Sequence, residues 1–164
     1  KKEKFKKFFS ILIFSIYIFT FLSLITLFSS FLHLKILIFL ILLICIASDI
    51  GGFISGNIFK GAKLTKISPK KTISGSIGSL VFSVISSIIF SYYFMTSFDI
   101  YFLLVGLTTS IACQVGDLFF SYLKRKSNIK DFGNILPGHG GILDRIDGLL
   151  LGVPVGYLTV LIIY

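Results

Sequence analysis

Asp117 is followed by Ser121, Lys124 and Arg125, then by Lys130-Asp131, and after Pro137-Gly138-His139-Gly140-Gly141 come Asp144, Arg145 and Asp147. This polar island lies between two long hydrophobic runs, where charge is costly unless it is paired, hydrated or bound to a ligand. Carboxylates suit a hard divalent cation, and magnesium needs only one or two of them because water and substrate phosphates complete its shell. Asp117 and Asp144 are the expected metal pair, with Asp49 as a further candidate. Ion pairing with Lys124, Arg125 or Arg145 is the competing use of the same carboxylates. The basic side chains point to an anionic, phosphate-rich substrate, since Arg offers a planar fork and Lys a compact charge. A snorkelling flank is the alternative for Lys124-Arg125-Lys126.

The glycine-rich turn permits close backbone approach. Its N–H groups could cradle a phosphate in a nest ahead of the helix that begins near Leu143. No G-x-x-x-x-G-K-[ST] stretch occurs, so it is not a P-loop. His139 titrates near neutral pH and could act as an acid or base, although hydrogen bonding to backbone or phosphate is the plainer role. Ser68-Pro69-Lys70-Lys71-Thr72 supplies two lysines and two hydroxyls suited to a nucleotide phosphate or a lipid headgroup, with Thr72 placed to cap a helix.

These residues need elements to position them. Five apolar runs are expected to form transmembrane helices: Phe8 to about Phe31, Ile36 to about Phe53, Ile73 to Met95, Ile100 to Phe120 and Leu143 to Tyr164. The start resembles a signal peptide, but the run is too long and no small-residue cleavage site follows, so a retained span is expected. The sequence begins with Lys1 rather than methionine, which leaves an upstream part open. Lysines and arginines fall in three groups, near Lys1–Lys7, Lys60–Lys71 and Lys124–Arg145, separated by pairs of spans as the positive-inside rule produces. With those groups cytoplasmic, the turn at Asp99 falls outside. Asp49, Asp117, Asp144 and Asp147 then gather near the cytoplasmic ends of their helices. The expected fold is an all-α, polytopic integral membrane helix bundle of about five transmembrane helices with a cytoplasm-facing polar site. Residues 1–164 read as one membrane-embedded catalytic domain, or as the C-terminal part of a longer chain.

Composition agrees. Of 164 residues 55% are hydrophobic and 14% charged, more apolar surface than a soluble domain of this length could cover. The net charge of +9 would suggest a nucleic-acid partner in a soluble protein, but here its distribution is explained by topology beside anionic lipid, and no nucleic-acid partner is expected. Cys45 and Cys113 stand singly within apolar runs, which argues against a disulfide framework or zinc site and for buried packing.

Ser121, Leu123, Lys124, Arg125, Lys130, Asp131, Pro137, Gly138, His139, Gly140, Gly141, Asp144, Arg145 and Asp147 together resemble the signature of the phosphatidate cytidylyltransferases, also called CDP-diglyceride synthases. Ser48-Asp49 with Gly51, Ser68 to Thr72 with Gly75, and Gly116-Asp117-Leu118 are similar to the same family, so the resemblance covers about Ser48 to Tyr164. It implies transfer of a cytidylyl group from CTP to phosphatidate, giving CDP-diacylglycerol and pyrophosphate in phospholipid biosynthesis, at the cytoplasmic face of the inner cell membrane. The implied cofactor is Mg2+, with a second metal or a monovalent cation left open, and homo-oligomers are an open possibility. The implied catalytic set is Asp117, Asp144, Lys124, Arg125, His139, Arg145 and Asp147. Substrate binding falls to Ser68, Lys70, Lys71, Thr72, Ser121, Lys130, Asp131, Gly138, Gly140 and Gly141. Phe120 and Ser74 depart from the pattern, standing where the family often carries acids, which bears on the number of metal ions. A CTP-dependent polyprenol or phytol kinase and a non-enzymatic transport or assembly subunit are the alternatives.

Overall fold

The computed structural model describes residues 2–29, 32–65, 68–69, 71–94, 100–129, 132 and 141–163. They form five α-helices in chain order: α1 (Lys2–Ser29), α2 (Leu32–Phe59), α3 (Ile73–Phe94), α4 (Tyr101–Lys126) and α5 (Leu143–Ile163). No strand occurs among the described residues. A single antiparallel bridge joins Lys63 to Thr72.

Four stretches, Lys35–Phe59, Ile73–Phe94, Tyr101–Lys126 and Leu143–Ile163, are long and apolar enough to cross a bilayer. The chain is a multi-pass membrane protein. The expected first span corresponds to α1, whose apolar stretch among the described residues, Leu12–Ser23, is shorter. Residues up to Ile38 form one compact unit and Phe39 onward a second. Within the first unit, the hydroxyls of Thr20, Ser23 and Thr26 each donate to a carbonyl one turn back, so these three are satisfied along the helix itself.

In the second unit α4 packs against both α3 and α5. Its buried residues, among them Val105, Thr109, Ala112, Cys113, Gly116 and Phe120, recur every three or four positions and make one continuous seam. The buried residues of α3 are mostly small: Gly75, Gly78 and Ser79 lie against α2, and Ser83 and Ser87 against Gly106 of α4, which lets helix backbones approach closely in a lipid setting.

Two spans run further than expected. α2 continues past Phe53 to Phe59 and α4 past Phe120 to Lys126, so Asp49 and Asp117 stand in the body of their helices rather than at the ends. In α2 the reason is tertiary: a Cβ added at Gly51 would lie 2.6 Å from the Phe82 Cβ and 2.7 Å from the Gly78 carbonyl oxygen, and one at Gly56 would lie 3.1 Å from Thr72 Oγ1, so a row of glycines that continues beyond Phe53 forms the contact face for α3. In α4 the extension is local. Leu123, Lys124, Arg125 and Lys126 are good helix formers, and positive charge in the last turn complements the helix dipole.

Candidate active site

The start of α3 is fixed by its own residues. Thr72 precedes the helix, and its Oγ1 accepts a hydrogen bond from the Gly75 N–H at 3.1 Å, a side-chain N-cap. The loop before it folds back on itself, with Leu64 N donating to Lys71 O at 2.8 Å and Ile73 N to Ala62 O at 2.9 Å. Gly61 N donates to Ser74 Oγ at 3.3 Å, so the serine that replaces an acid in the family pattern holds this loop against the helix. The result places Lys71 directly before the capped turn, where it forms an ion pair with Asp117 of α4. Ser68 lies in the preceding turn, where its carbonyl accepts the Lys71 N–H at 3.1 Å.

The end of α4 is equally defined. Asn128 adopts φ 54°, its N–H donates to Arg125 O at 3.1 Å, and the next N–H, of Ile129, reaches Lys124 O at 3.0 Å. That paired closure is a Schellman motif with Asn in the left-handed position. Lys124, one turn back, donates to Asp144 Oδ1 at 2.8 Å and lies 3.6 Å from Asp147 Oδ2. Asp144 also accepts the backbone N–H groups of Phe132 at 2.8 Å and Gly141 at 2.9 Å on its other oxygen. It therefore ties three chain segments together at the first turn of α5, where negative charge is favoured by the dipole. Phe120, the other departure from the family pattern, is buried and packs edge-on against Phe132, whose ring also lies 5.4 Å from Lys124 Nζ.

Gly116 allows the last convergence. A Cβ there would sit 2.9 Å from the Asp147 carbonyl oxygen, so α4 and α5 are in backbone contact beside Asp117. All four aspartates border one cavity of about 410 Å³, together with Lys71, Thr72 and Arg145. Asp147 is 8% exposed and accepts the Gly148 N–H at 2.9 Å. Ser121 donates to Asp117 Oδ1 at 3.5 Å from just outside.

The sequence expectation is met unevenly. Asp49, Lys71, Thr72, Asp117, Asp144, Arg145 and Asp147 are brought together. Lys124 reaches the cluster through its ion pairs, whereas Arg125 is exposed on the last turn of α4 and does not border the cavity. Gly141 uses its N–H on Asp144. Lys70, Asp99, Lys130, Asp131, Gly138, His139 and Gly140 lie outside the described residues. The cavity also has lining that sequence reasoning assigned no role: Gln114, Ser76 and Asn57. Only Gln114 carried a usable signal, as a carboxamide inside an apolar span close to Asp117.

Such an arrangement suits phosphate chemistry with a hard cation. Among the described residues no three His, Cys, Asp or Glu side chains cluster tightly enough to hold a metal on their own. A cation here would take one or two carboxylates and complete its shell from water and substrate oxygens, as magnesium does. The residues fit that group: Asp117 and Asp144 each already hold a positive counter-charge, Lys71 and Lys124, beside the cavity.

A family model described as the cytidylyltransferase family matches residues 1–163. The chain belongs to that family. Among curated relatives, the phosphatidate cytidylyltransferase of Rickettsia bellii (strain RML369-C) is 50% identical over 117 residues, covering 65% of this chain and 50% of the relative. That of Rickettsia felis (strain ATCC VR-1525 / URRWXCal2) is 44% identical over 128 residues, covering 71% and 56%. The Helicobacter pylori (strain J99 / ATCC 700824) protein of the same name is 41% identical over 113 residues, covering 68% and 42%. The chain spans about half the length of the curated relatives it matches.

Proposed function

We propose that the chain carries the reaction centre of a phosphatidate cytidylyltransferase, transferring the cytidylyl group of CTP to phosphatidate with release of pyrophosphate. The observation that carries this reading is the convergence of four aspartates with Lys71 and Arg145 on one cavity. The names of the relatives support the choice of substrates.

A phosphate oxygen of phosphatidate attacks the α-phosphorus of CTP while the bond from that phosphorus to the bridging oxygen breaks and pyrophosphate departs. The nucleophile is already anionic, so no strong base is needed, and the work lies in alignment and charge stabilisation. Lys71 and Arg145 attract the phosphates, Thr72 and its capped turn hold Lys71 in place, and Asp147 with Lys124 orients the first turn of α5. His139 and the glycine turn would add donors to the leaving pyrophosphate, as the resemblance to the family implies, while Arg125, away from the cavity, would add only longer-range positive charge. Asp117 and Asp144, with Asp49 as a further ligand, would hold Mg2+, which would supply positive charge to offset that of the phosphates brought together. The site faces the cytoplasm from the inner membrane, a placement supported by the lysines and arginines that follow α2 and α4.

The test is magnesium-dependent conversion of labelled CTP and phosphatidate in detergent micelles, scoring CDP-diacylglycerol and pyrophosphate. CDP in place of pyrophosphate would move the chain to the lipid kinases. No turnover from a folded chain would refute the reading for this half-length segment, and restored turnover on adding the relatives' further length would return it to the whole protein.

A further inference from the structure

Gln114 borders the cavity but has no part in the proposed chemistry. It lies one helical turn from Asp117, on the same face of α4. Its carboxamide bonds directly to α3 and, through Ser110 of its own helix, indirectly to α2. Ser76 Oγ donates to Gln114 Oε1, and Gln114 Nε2 donates back to the Ser76 carbonyl oxygen at 3.3 Å. The same nitrogen reaches Ser110 Oγ at 3.4 Å, and Ser110 Oγ shares a 2.9 Å hydrogen bond with Ser48 Oγ of α2. A carbonyl oxygen can only accept, so the contact with Ser76 O fixes which end of the amide faces α3. Two-point attachment to one residue restrains the rotation of α3 as well as its distance from α4.

The partners of this ladder are next to the charged groups. Ser76 is one turn beyond Thr72, the residue that follows Lys71, and Ser48 immediately precedes Asp49. An uncharged hydrogen-bond ladder therefore joins α2, α3 and α4 one turn from the Lys71–Asp117 pair. Ser48 and Ser110 are buried, where an unmade hydrogen bond is costly, so that end of the ladder holds one register, and the two bonds to Ser76 carry it to α3 at the cavity wall.

We propose that Gln114 is a positioning residue, whose carboxamide sets α3 and α2 against α4 and so holds Lys71 and Asp49 in register with Asp117. For turnover this rests on the cytidylyl-transfer reading; for geometry it does not.

The first experiment is zero-length carbodiimide cross-linking of the chain in micelles, which condenses the Lys71 amine with the Asp117 carboxyl into an amide only where the two touch, read by peptide mass spectrometry. The parent is expected to cross-link. Gln114→Met, close in volume and apolar, should lower the yield about fivefold or more, and Ser76→Ala, which removes only one of the two attachments, should lower it less. Equal yield in parent and Gln114→Met overturns the proposal, as does a parent that does not cross-link. If Gln114→Met fails to fold, the Ser76→Ala yield decides, and no change in it counts against the proposal. The second experiment is a double-mutant cycle on turnover. Gln114→Met should lower kcat/KM by about tenfold or more in the parent and by less than about twofold when Lys71 is already Met, because a residue acting through Lys71 has nothing left to position. The same loss in both backgrounds would mean a general packing role and overturn the proposal. A parent that cross-links yet makes no CDP-diacylglycerol refutes the reaction while leaving the cross-link to judge Gln114.

Discussion

Two lysine–aspartate pairs bracket the cavity, and they are built differently. Lys71–Asp117 joins the start of α3 to the body of α4, with side chains 25% and 36% exposed. Lys124–Asp144 joins the end of α4 to the start of α5, with side chains 13% and 8% exposed, and its carboxylate also holds two backbone N–H groups. The first pair is the more exposed of the two and borders the cavity, where the proposed function would bring a substrate phosphate or a cation. The second is a latch that shapes the α4–α5 connection before any ligand arrives. Like charges in like chemistry thus serve different ends according to burial and to the number of backbone groups they satisfy.

Substitutions can break this distinction. The largest effect is expected from Asp144→Asn, which leaves Lys124 without its main counter-charge. It should abolish turnover and also cost about 3 kcal/mol of stability, the lower end for breaking a buried pair. Thermal unfolding in micelles measures the second part, and an unchanged midpoint would show that the latch is not one. Asp117→Asn comes next: turnover should fall about 100-fold or more, as when a group stabilising transition-state charge is lost. Its stability should move by less than about 1 kcal/mol, as for an exposed pair. If Asp117→Asn melts as early as Asp144→Asn, the two pairs are equivalent and the comparison collapses.

Lys71→Ala should act on binding more than on turnover, raising KM for CTP about tenfold, equivalent to about 1.4 kcal/mol. Initial-rate kinetics over a range of CTP would show this, and a fall confined to kcat would assign Lys71 to the chemical step instead. The smallest effect belongs to Ser121→Ala. Its hydrogen bond to Asp117 is long, at 3.5 Å, so activity should change less than about twofold. A large loss would place Ser121 in direct contact with substrate.

Much of the architecture was legible because hydrophobic runs of membrane length leave few alternatives. The four spans and the convergence of their aspartates follow from apolar length and from the alternation of basic groups. Thr72 was readable as a cap since a hydroxyl before a helical run has a defined partner in the third helical N–H. Where α2 ends was not legible. Gly56 is a weak helix former by its own propensity, and it is its approach to Thr72 and Gly75 at the start of α3 that gives the extra turns of α2 a packing surface. The Gln114 ladder was hidden for the same reason, since its partners on α2 and α3 are distant in sequence. Ion pairing of Asp144 with Lys124 is among the pairings the sequence offers, whereas Asp117 pairs with Lys71, a partner distant in sequence that it does not offer. Cys45 and Cys113 were read as buried and unbridged; they are free thiols in mutual contact, with Sγ atoms 3.0 Å apart.

The latch at Asp144 has a consequence for how the protein is made. Lys124 leaves the ribosome before either of its acidic partners, and Lys71 before Asp117. A nascent chain that has finished α4 but not α5 carries an uncompensated lysine at the rim and has no closed cavity. The centre therefore stays open until the first turn of α5 arrives. A polypeptide arrested before Asp144 would carry Lys124 without the carboxylate that holds it at 2.8 Å.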